Sequence, residues 1–528
     1  MDTSDDDAGQ QGSWGQLLSG RNLPVIVVLA GGVALYAINV YLASSLLPSA
    51  VGEIGGQRLY AWNTTVFLLA SVGSSVLVNR LLRAVSRRGA YLVALSLFVA
   101  GTVICLAAPS MIVLLVGRAV QGAGGGLLAG QAYGLIQSVL PERLWGRAIA
   151  ITSAMWGVGT LVGPAIGGAL AEFASWRGAF AALAAAAVAL GLVVPHALGG
   201  GRPDTAPEAV PVVSLVLVMA AALVVSVVSV VGTPLLSAIG VLIGVVLVAG
   251  FVGHERRTRG PRVFPVGMFL AGSPLRWFYA TLALLAIGSQ VEGFVPLFGQ
   301  RLAGLAPLAA AFLGAASAAG WTIGQISSSN ATGQRSTRRL TMAGPVTLTV
   351  GLVAAALTLT PRVEGWALAA WVVALLVAGA GIGLAWPHLS TNVMSTGTRT
   401  DDGTKAAAAI NTVQLLANAF GAALTGVLVN LAANPLASAR YLFVGIAIVT
   451  ALGVLTVLTA THRHGHSDRT PPTVASAPPR MAKPIDDEIG PDLTPPHQHT
   501  SACYWDHERA AWSCGRKHDT PQRRPSGR

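Results

Sequence analysis

Fourteen long apolar runs constrain what this sequence can fold into more than any other feature. A helix of roughly 20 apolar residues crosses the hydrocarbon core of a bilayer, and each run has about that length. Because backbone polar groups in lipid must bond within their own segment, we expect each run to be an α-helix. The predicted spans cover residues 23-47, 59-79, 89-108, 111-137, 147-170, 178-198, 211-231, 233-253, 276-298, 306-326, 340-360, 366-388, 405-430 and 439-460.

The composition also indicates an all-α integral membrane protein. Of the 528 residues, 53% are hydrophobic and only 11% are charged, whereas soluble domains carry roughly 25% charged residues. The net charge of +12 comes from arginines in short loops and in the C-terminal tail, so we predict no nucleic-acid partner. The three cysteines are too few for a disulfide framework. The first residues are acidic rather than basic, so we expect the first apolar run to be retained as a span.

Basic residues are distributed unevenly among the predicted loops. With the N-terminus inside, eighteen Arg and Lys residues before residue 461 fall in cytoplasmic segments and five fall outside. Basic loops stay on the cytoplasmic side of a membrane. We therefore predict a multi-pass protein of the inner or plasma membrane with both termini in the cytoplasm. The five outer residues are Arg58, Arg177, Arg301, Arg362 and Arg440.

The spans group as six, two and six, which predicts two six-helix bundles plus two additional central spans. The segments are an N-terminal tail at 1-22, a bundle at 23-198, two apolar central spans with a basic loop at 199-275, a second bundle at 276-460 and a cytoplasmic tail at 461-528. We expect the central spans to be peripheral. The tail contains seven of the ten histidines but no compact zinc pattern, and its proline-rich stretches predict disorder. We predict no metal site.

Glycines recur every four residues on the fifth predicted span. Gly159, Gly163 and Gly167 share one helix face, followed by Gly168, and this spacing lets a second helix approach closely in lipid. Pro164 removes a backbone donor and favours a bend. We expect Gly163 and Gly167 to meet a helix of the other bundle where no side chain fits. The alternative is that the glycines serve helix packing alone.

Two charged residues, one basic and one acidic, lie well inside predicted spans, away from the span ends. Arg118, in the run Arg118-x-x-Gln121-Gly122, should face a polar interior because a buried charge costs roughly 2.5 to 3.5 kcal/mol on insertion scales. Glu292 is the one acid well inside a span, and a carboxyl there can exchange a proton as nearby charges change. The alternative is a permanently protonated or hydrogen-bonded Glu292. Arg118 could pair with Glu292 or with an anionic substrate.

A stripe of uncharged polar residues marks the thirteenth predicted span. Asn411, Gln414, Asn418 and Thr425 lie at offsets 0, 3, 7 and 14, so they share one face. Such a stripe either lines a water-filled path or bonds to a neighbouring helix. Elsewhere, Tyr36, Asn39 and Gln121 could line a cavity.

These motifs resemble those of the major facilitator superfamily, in particular its fourteen-span branch of drug:proton antiporters, the multidrug-resistance type of exporter. The resemblance covers nearly all of residues 22 to 460. Arg118-x-x-Gln121-Gly122 is similar to the fourth-span motif that the family links to proton coupling. The run from Gly159 to Gly168 is similar to the antiporter motif of exporters, and Pro296-Leu297-x-x-Gln300 is similar to the segment between the ninth and tenth spans.

The sequence departs from the branch at two places. In the loop after the second span, Arg83 and Ser86 stand where the family usually has an aspartate and a glycine. In the first span, Asn39 stands where the family commonly has an aspartate, nine residues before a proline. Asn39 cannot titrate, so it cannot carry a proton.

The resemblance implies a secondary transporter with two bundles that rock about a central site. We expect proton-coupled export of an amphipathic, drug-like or lipid-like compound, with the proton gradient as energy source and no cofactor. No nucleotide-binding GxxxxGK[ST] pattern is present, and the spans hold no paired carboxylates, so we predict neither an ATP-driven pump nor an enzyme. The alternative is a transport-inactive membrane scaffold or sensor that signals through its cytoplasmic tail.

Overall fold

The computed structural model describes residues 13–201, 211–231, 233–270, 272–329, 331, 333–395, 400–467, 503–506 and 511–514. Described residues up to Ser467 form helices and short connections. The helices of the N-terminal part are α1 (Trp14–Leu17), α2 (Asn22–Ile54), α3 (Trp62–Ser75), α4 (Val78–Ala84), α5 (Arg87–Leu106), α6 (Met111–Val139), α7 (Glu142–Phe173) and α8 (Trp176–Ala197).

Two central helices and seven further helices follow. The central pair is α9 (Val212–Val231) and α10 (Pro234–Arg257). The last part contains α11 (Leu275–Ser289), α12 (Val295–Ala303), α13 (Pro307–Ser328), α14 (Gln334–Thr358), α15 (Trp366–Ser395), α16 (Thr400–Asn430) and α17 (Pro435–Ser467). Short 3-10 turns cover Gln57–Leu59, Val266–Phe269 and Gln290–Gly293.

The structure confirms the all-helical membrane class but not the count of fourteen spans. Of the helices in the described residues, twelve are long and apolar enough to cross a bilayer, and the bent pair α11 and α12 makes a thirteenth. The second predicted span, 59-79, is divided into α3 with 14 residues and α4 with 7 residues, each shorter than a full span. The fourteenth span therefore stays a prediction.

Local sequence explains the start of α5. The Ser86 side chain accepts a hydrogen bond from the backbone N–H of Gly89 at 3.1 Å and caps the helix. Arg83 lies in the last turn of α4, where a cation is favoured by the free carbonyls. The two residues that depart from the family pattern thus fit the end of one helix and the start of the next.

The helices pack into two halves that meet along two seams. In the N-terminal half, α2 packs on α6, α7 and α8, and α5 and α3 pack on α6. In the C-terminal half, α15 packs on α13 and α14, and α17 packs on α11 and α14. The halves meet where α7 contacts α13 and where α3 contacts α16. The central hairpin of α9 and α10 lies at the second seam, because α9 packs on α16 and also contacts α3.

The predicted disordered tail contains a described element. Strands β1 (Cys503–Asp506) and β2 (Ala511–Cys514) run antiparallel and form a two-stranded sheet. In its register Cys503 lies opposite Cys514, and Trp505 lies opposite Trp512. Short runs of aromatic and small residues suit an extended backbone. Disorder of the tail stays a prediction. The other tail histidines beyond His466 lie outside the described residues.

Candidate functional site

Arg118 lies two turns into α6 and is only 1% exposed. Its Nη1 donates to Oδ1 of Asn39 at 3.0 Å and to Oε1 of Gln121 at 2.5 Å, and its Nε donates to the backbone carbonyl of Asn63 at 3.3 Å. The guanidinium also lies 4.2 Å from the centroid of the Phe67 ring. None of these partners is charged, so the guanidinium has no carboxylate partner in the described part of the chain.

The glycines of the fourth-span motif allow neighbouring helices to reach Arg118. A Cβ on Gly122 would lie 2.3 Å from the backbone carbonyl oxygen of Phe67, so α3 packs directly on the backbone of α6. The Ser71 hydroxyl strengthens this contact by donating to the Gly122 carbonyl at 3.0 Å. On the other side, the Gln121 amide donates to the Thr102 hydroxyl at 2.8 Å. The motif therefore packs α6 between α3 and α5, with the Arg118 side chain against α2 and α3.

The glycines of the fifth-span motif pack on α2. A Cβ on Gly163 would lie 2.7 Å from the Cβ of Tyr41, and one on Gly167 would lie 2.2 Å from Oγ of Ser45. Gly159 makes the same kind of contact one turn earlier. The prediction that no side chain fits here is confirmed, but the predicted partner was wrong. Both glycines face the first helix of their own half, because α2 and α7 cross closely within that half.

Contact with the other half comes from the next residue of the motif. A Cβ on Gly168 would lie 2.8 Å from Cα of Leu308 and 2.9 Å from the Cβ of Ala311 on α13. Pro164 lies within α7, which continues as one helix on both sides of it. The run of glycines thus serves two interfaces, one inside the N-terminal half and one between the halves.

Glu292 lies where the ninth predicted span breaks. The structure replaces one straight helix with α11, a 3-10 turn and α12, at an angle of 40°. Pro296 explains the break, because it has no N–H to donate and its ring excludes the carbonyl of Glu292, four residues earlier. The Glu292 side chain is partly buried and has no hydrogen bond in the described residues. It interacts electrostatically with the phenol of Tyr41 on α2.

Helix α2 lies between the buried cation and the buried acid. Asn39 contacts Arg118, whereas the turn that carries Glu292 contacts α2 and lies within electrostatic range of Tyr41. Residues two positions apart on a helix point about 200° apart, so these two side chains leave α2 on opposite sides. Arg118 and Glu292 therefore do not pair.

The polar stripe on α16 takes part in helix contacts. Asn418 Oδ1 accepts a hydrogen bond from Nε2 of Gln290 at 3.0 Å, which ties α16 to the broken helix. The Thr425 hydroxyl donates to the backbone carbonyl of Ala422 at 2.8 Å. Gln414 is half-buried and has no hydrogen bond within the described residues. The side chain of Asn411 lies outside the described part of the structure.

The two halves are joined at the end where α2 finishes and α3 begins. The Tyr60 ring stacks on Phe294 with centroids 4.7 Å apart. Arg301 donates to Oε1 of Gln57 at 2.9 Å, and Glu172 accepts from the backbone N–H of Leu308 at 3.0 Å. These contacts join the two halves at this end of the described helices.

Comparison with known proteins decides the family. A model of the Major Facilitator Superfamily matches residues 29–422, which is most of the chain. The chain belongs to the Major Facilitator Superfamily. The fold, the glycine motifs and the buried arginine are thus parts of a membrane transporter.

Two superfamily relatives come from Mycobacterium tuberculosis. A protein named Probable multidrug-efflux transporter is 44% identical over 464 residues, covering 86% of this chain and 98% of the relative. An uncharacterized MFS-type transporter is 28% identical over 421 residues, covering 77% of this chain and 59% of the relative.

Solved structures of the superfamily share the fold. A bacterial homologue of the human lysosomal transporter Spinster, in an inward-facing and unoccupied conformation, matches with a TM-score of 0.61 and 18% identity over 87% of this chain and all of that one. A D-xylose–proton symporter matches with a TM-score of 0.56 and 15% identity over 84% of this chain and 97% of that one. At these identities the likeness shows the fold alone.

One buried acid of this superfamily member was missed by sequence reasoning. Glu255, which lies in the last turn of α10, is fully buried and accepts hydrogen bonds from Ser214 and from the backbone N–H groups of Val263 and Phe264, the latter two at 3.0 Å. It ties the central hairpin to the segment that leads into α11. Its position after a run of apolar residues gave no signal, because the turn that brings the backbone donors to it and the approach of Ser214 from α9 depend on the folded chain.

Proposed function

We propose that this chain is a proton-coupled secondary transporter that exports an amphipathic or lipid-like compound by alternating access. The relative named as a probable multidrug-efflux transporter supports export, because it is 44% identical to this chain over nearly its full length. The name of this relative says nothing about protons. We infer proton coupling from the residues of this chain.

The observation that carries the proposal is the position of Glu292. Its carboxyl lies at a proline break in a membrane helix and has no hydrogen bond in the described residues, and the turn that carries it contacts α2 of the opposite half. Ionisable groups inside membranes mark ion pathways, and broken helices mark binding sites in transporters. When the halves rock, α2 moves relative to α12, so the surroundings of this carboxyl change. A carboxyl that gains and loses its proton in the two states couples proton entry to export.

The proton gradient is the proposed energy source. A proton that enters along the membrane potential releases about 2.3 kcal/mol per 100 mV. A factor of ten in concentration corresponds to about 1.4 kcal/mol, so one proton at that potential supports export against a gradient of tens-fold. We infer that the transporter needs no bound cofactor.

Transport by the purified protein tests the proposal. The protein would be reconstituted in proteoliposomes loaded with members of a panel of amphipathic compounds, and efflux would be followed with and without an imposed pH gradient. We expect at least one compound to move faster when the gradient is present and to lose this difference when an ionophore removes the gradient. Equal rates for all compounds under both conditions would contradict proton coupling.

We also propose that both termini face the cytoplasm and that the protein lies in the inner or plasma membrane. The excess of basic residues in one set of loops supports this orientation. A reporter enzyme that is active only in the cytoplasm, fused after Arg528, should be active. A reporter that is active only outside the membrane should be silent there and active when fused in the loop near Glu364.

A further inference from the structure

The surroundings of Arg118 contain more hydrogen-bond donors than acceptors. Arg118 donates a hydrogen bond to the side-chain oxygen of Asn39. This contact fixes the orientation of the Asn39 amide, since the reverse orientation would place the N–H groups of both side chains against each other. The Nδ2 group of Asn39 then has no acceptor, although the residue is 0% exposed. Nδ2 of Asn63, on the neighbouring α3, is also buried without a partner.

The same place carries an unbalanced positive charge. The contacts of Arg118 are neutral oxygens and an aromatic ring. A buried donor without an acceptor destabilises a protein, and a buried charge without a counter-charge destabilises it more. A negatively charged group would relieve both deficits, because it accepts hydrogen bonds and compensates the guanidinium.

An aromatic strip leads from Arg118 to an exposed side chain. The guanidinium lies on the ring of Phe67, which is 5.4 Å from the ring of Tyr36, and Tyr36 is in turn 5.6 Å from Trp156. Trp156, on α7, is 36% exposed. Phe67 and Tyr36 are buried, with 1% and 2% exposed, so the strip is an apolar layer that runs inside the protein from the Arg118 guanidinium and reaches the surface at Trp156.

We propose that Arg118 and the Asn39 amide bind an anionic group, and that the apolar body of the same molecule lies along Phe67, Tyr36 and Trp156. The chemical class is an amphipathic monovalent anion such as a medium-chain carboxylate. A small free anion such as chloride offers the same chemistry to Arg118 without using the strip. The inference rests on the proposed function in one respect, namely that the bound molecule is cargo.

The Asn39 side chain decides the specificity of this site. An aspartate at this position would place a carboxylate of the protein itself against the Arg118 guanidinium and would compensate its charge. Asparagine leaves the positive charge of Arg118 without a counter-charge and adds a hydrogen-bond donor, its Nδ2 group. Substituting Asn39→Asp should therefore close the site to anions while keeping the shape of the side chain.

Thermal unfolding of the purified full-length protein in detergent tests the site. The ligands would be sodium chloride, sodium gluconate, sodium decanoate and decanol at matched ionic strength. We expect decanoate to raise the unfolding temperature more than decanol, which has the same chain without the charge, and gluconate, whose polyol chain does not suit an aromatic strip, to have no effect. Stabilisation by decanoate but not by chloride would show that the site binds the charged group of an amphipathic cargo. Stabilisation by chloride would show that the site binds a small free anion.

Two variants complete the experiment. In Asn39→Asp the concentration of anion for half-maximal stabilisation should rise about 10-fold or more. The control Asn434→Asp makes the same exchange at an exposed helix cap far from the membrane interior and should respond as the wild type does. Equal responses of Asn39→Asp and wild type, or equal stabilisation by decanoate and decanol without a chloride effect, would overturn the site. The wild-type ligand series decides the matter even if Asn39→Asp does not fold.

The measurement is independent of proton coupling because no gradient is present. An intact anion response without gradient-driven efflux would contradict the proposed function and leave the site in place. Gradient-driven efflux without an anion response in thermal unfolding would contradict the anion site alone.

Discussion

Gly163 of α7 and Tyr41 of α2 meet with their backbones almost in contact, since a Cβ on the glycine would lie 2.7 Å from the Cβ of the tyrosine. Tyr41 in turn lies within electrostatic range of Glu292, on a turn of the other half that contacts α2. The glycine motif therefore controls the position of a side chain next to the proposed proton carrier, although the motif itself does not touch the acid.

Replacing Gly163 with leucine should abolish export. The larger side chain would force α2 and α7 apart, at a cost of about 1 to 3 kcal/mol, and would move Tyr41 away from Glu292. Efflux from cells and the amount of protein in the membrane would be measured together. The control is Gly157→Leu on the same helix, because a Cβ at Gly157 has no atom within 4 Å. Normal efflux by Gly163→Leu would show that the close contact is not needed.

The variant Glu292→Gln should lose proton-driven export but keep exchange of labelled for unlabelled cargo. Glutamine has the volume of the protonated acid and cannot release a proton. Efflux and exchange would be compared in proteoliposomes, and we expect efflux to fall to the rate seen without a pH gradient. Glu364→Gln, at an exposed acid, is the control and should behave as wild type. Gradient-driven efflux at the wild-type rate in Glu292→Gln would assign coupling to another group.

The contact between Gln290 and Asn418 should stabilise the broken helix against α16. Hydrogen bonds between membrane helices contribute about 0.6 kcal/mol on average and up to about 1.7 kcal/mol. Alanine substitutions at the two positions, alone and together, should give a coupling free energy of this size in unfolding experiments in detergent. Gln290→Ala combined with Gln414→Ala should be additive. A coupling of zero between Gln290 and Asn418 would favour a path-lining role for the stripe.

Removal of residues 471–528 should leave most export intact. Residues 1–470 form one compact unit and residues 471–528 another. The elements that carry Arg118, Glu292 and the glycine motifs all belong to the first unit. Efflux by the truncated protein, normalised to the amount in the membrane, is the measurement. Loss of export by a truncated protein that reaches the membrane would revive the sensor interpretation.

The fold could be predicted from the sequence because the lipid environment imposes a single requirement, a long apolar helix. The residues of the site could also be found, since Arg118 and Glu292 are exceptional inside apolar runs. The residues that contact them could not be predicted from the sequence. Which helix packs on Gly163, and whether Arg118 meets an acid, depend on how helices distant in sequence cross.

Two further features show the same limit. Pro296 lies four residues after Glu292 and could have indicated the break in the ninth span, but the apolar pattern continues through it. Glu255 resembles an ordinary loop acid in the sequence, and only the folded chain brings the backbone donors of Val263 and Phe264 to it. Hydrophobic periodicity reports the environment of a segment, not the neighbours of one side chain.

The hairpin of α9 and α10 makes the two flanks of the molecule unequal to a compound dissolved in the bilayer. Helix α9 packs on α16 and contacts α3, and Asn430 of α16 donates to the backbone carbonyl of Ser229 on α9 at 3.1 Å. A lipophilic molecule diffusing within a leaflet meets this hairpin before it reaches the seam between α3 and α16. Passage from the lipid phase to this seam therefore requires a way around α9 and α10, and among the described helices this additional layer packs at only one of the two seams.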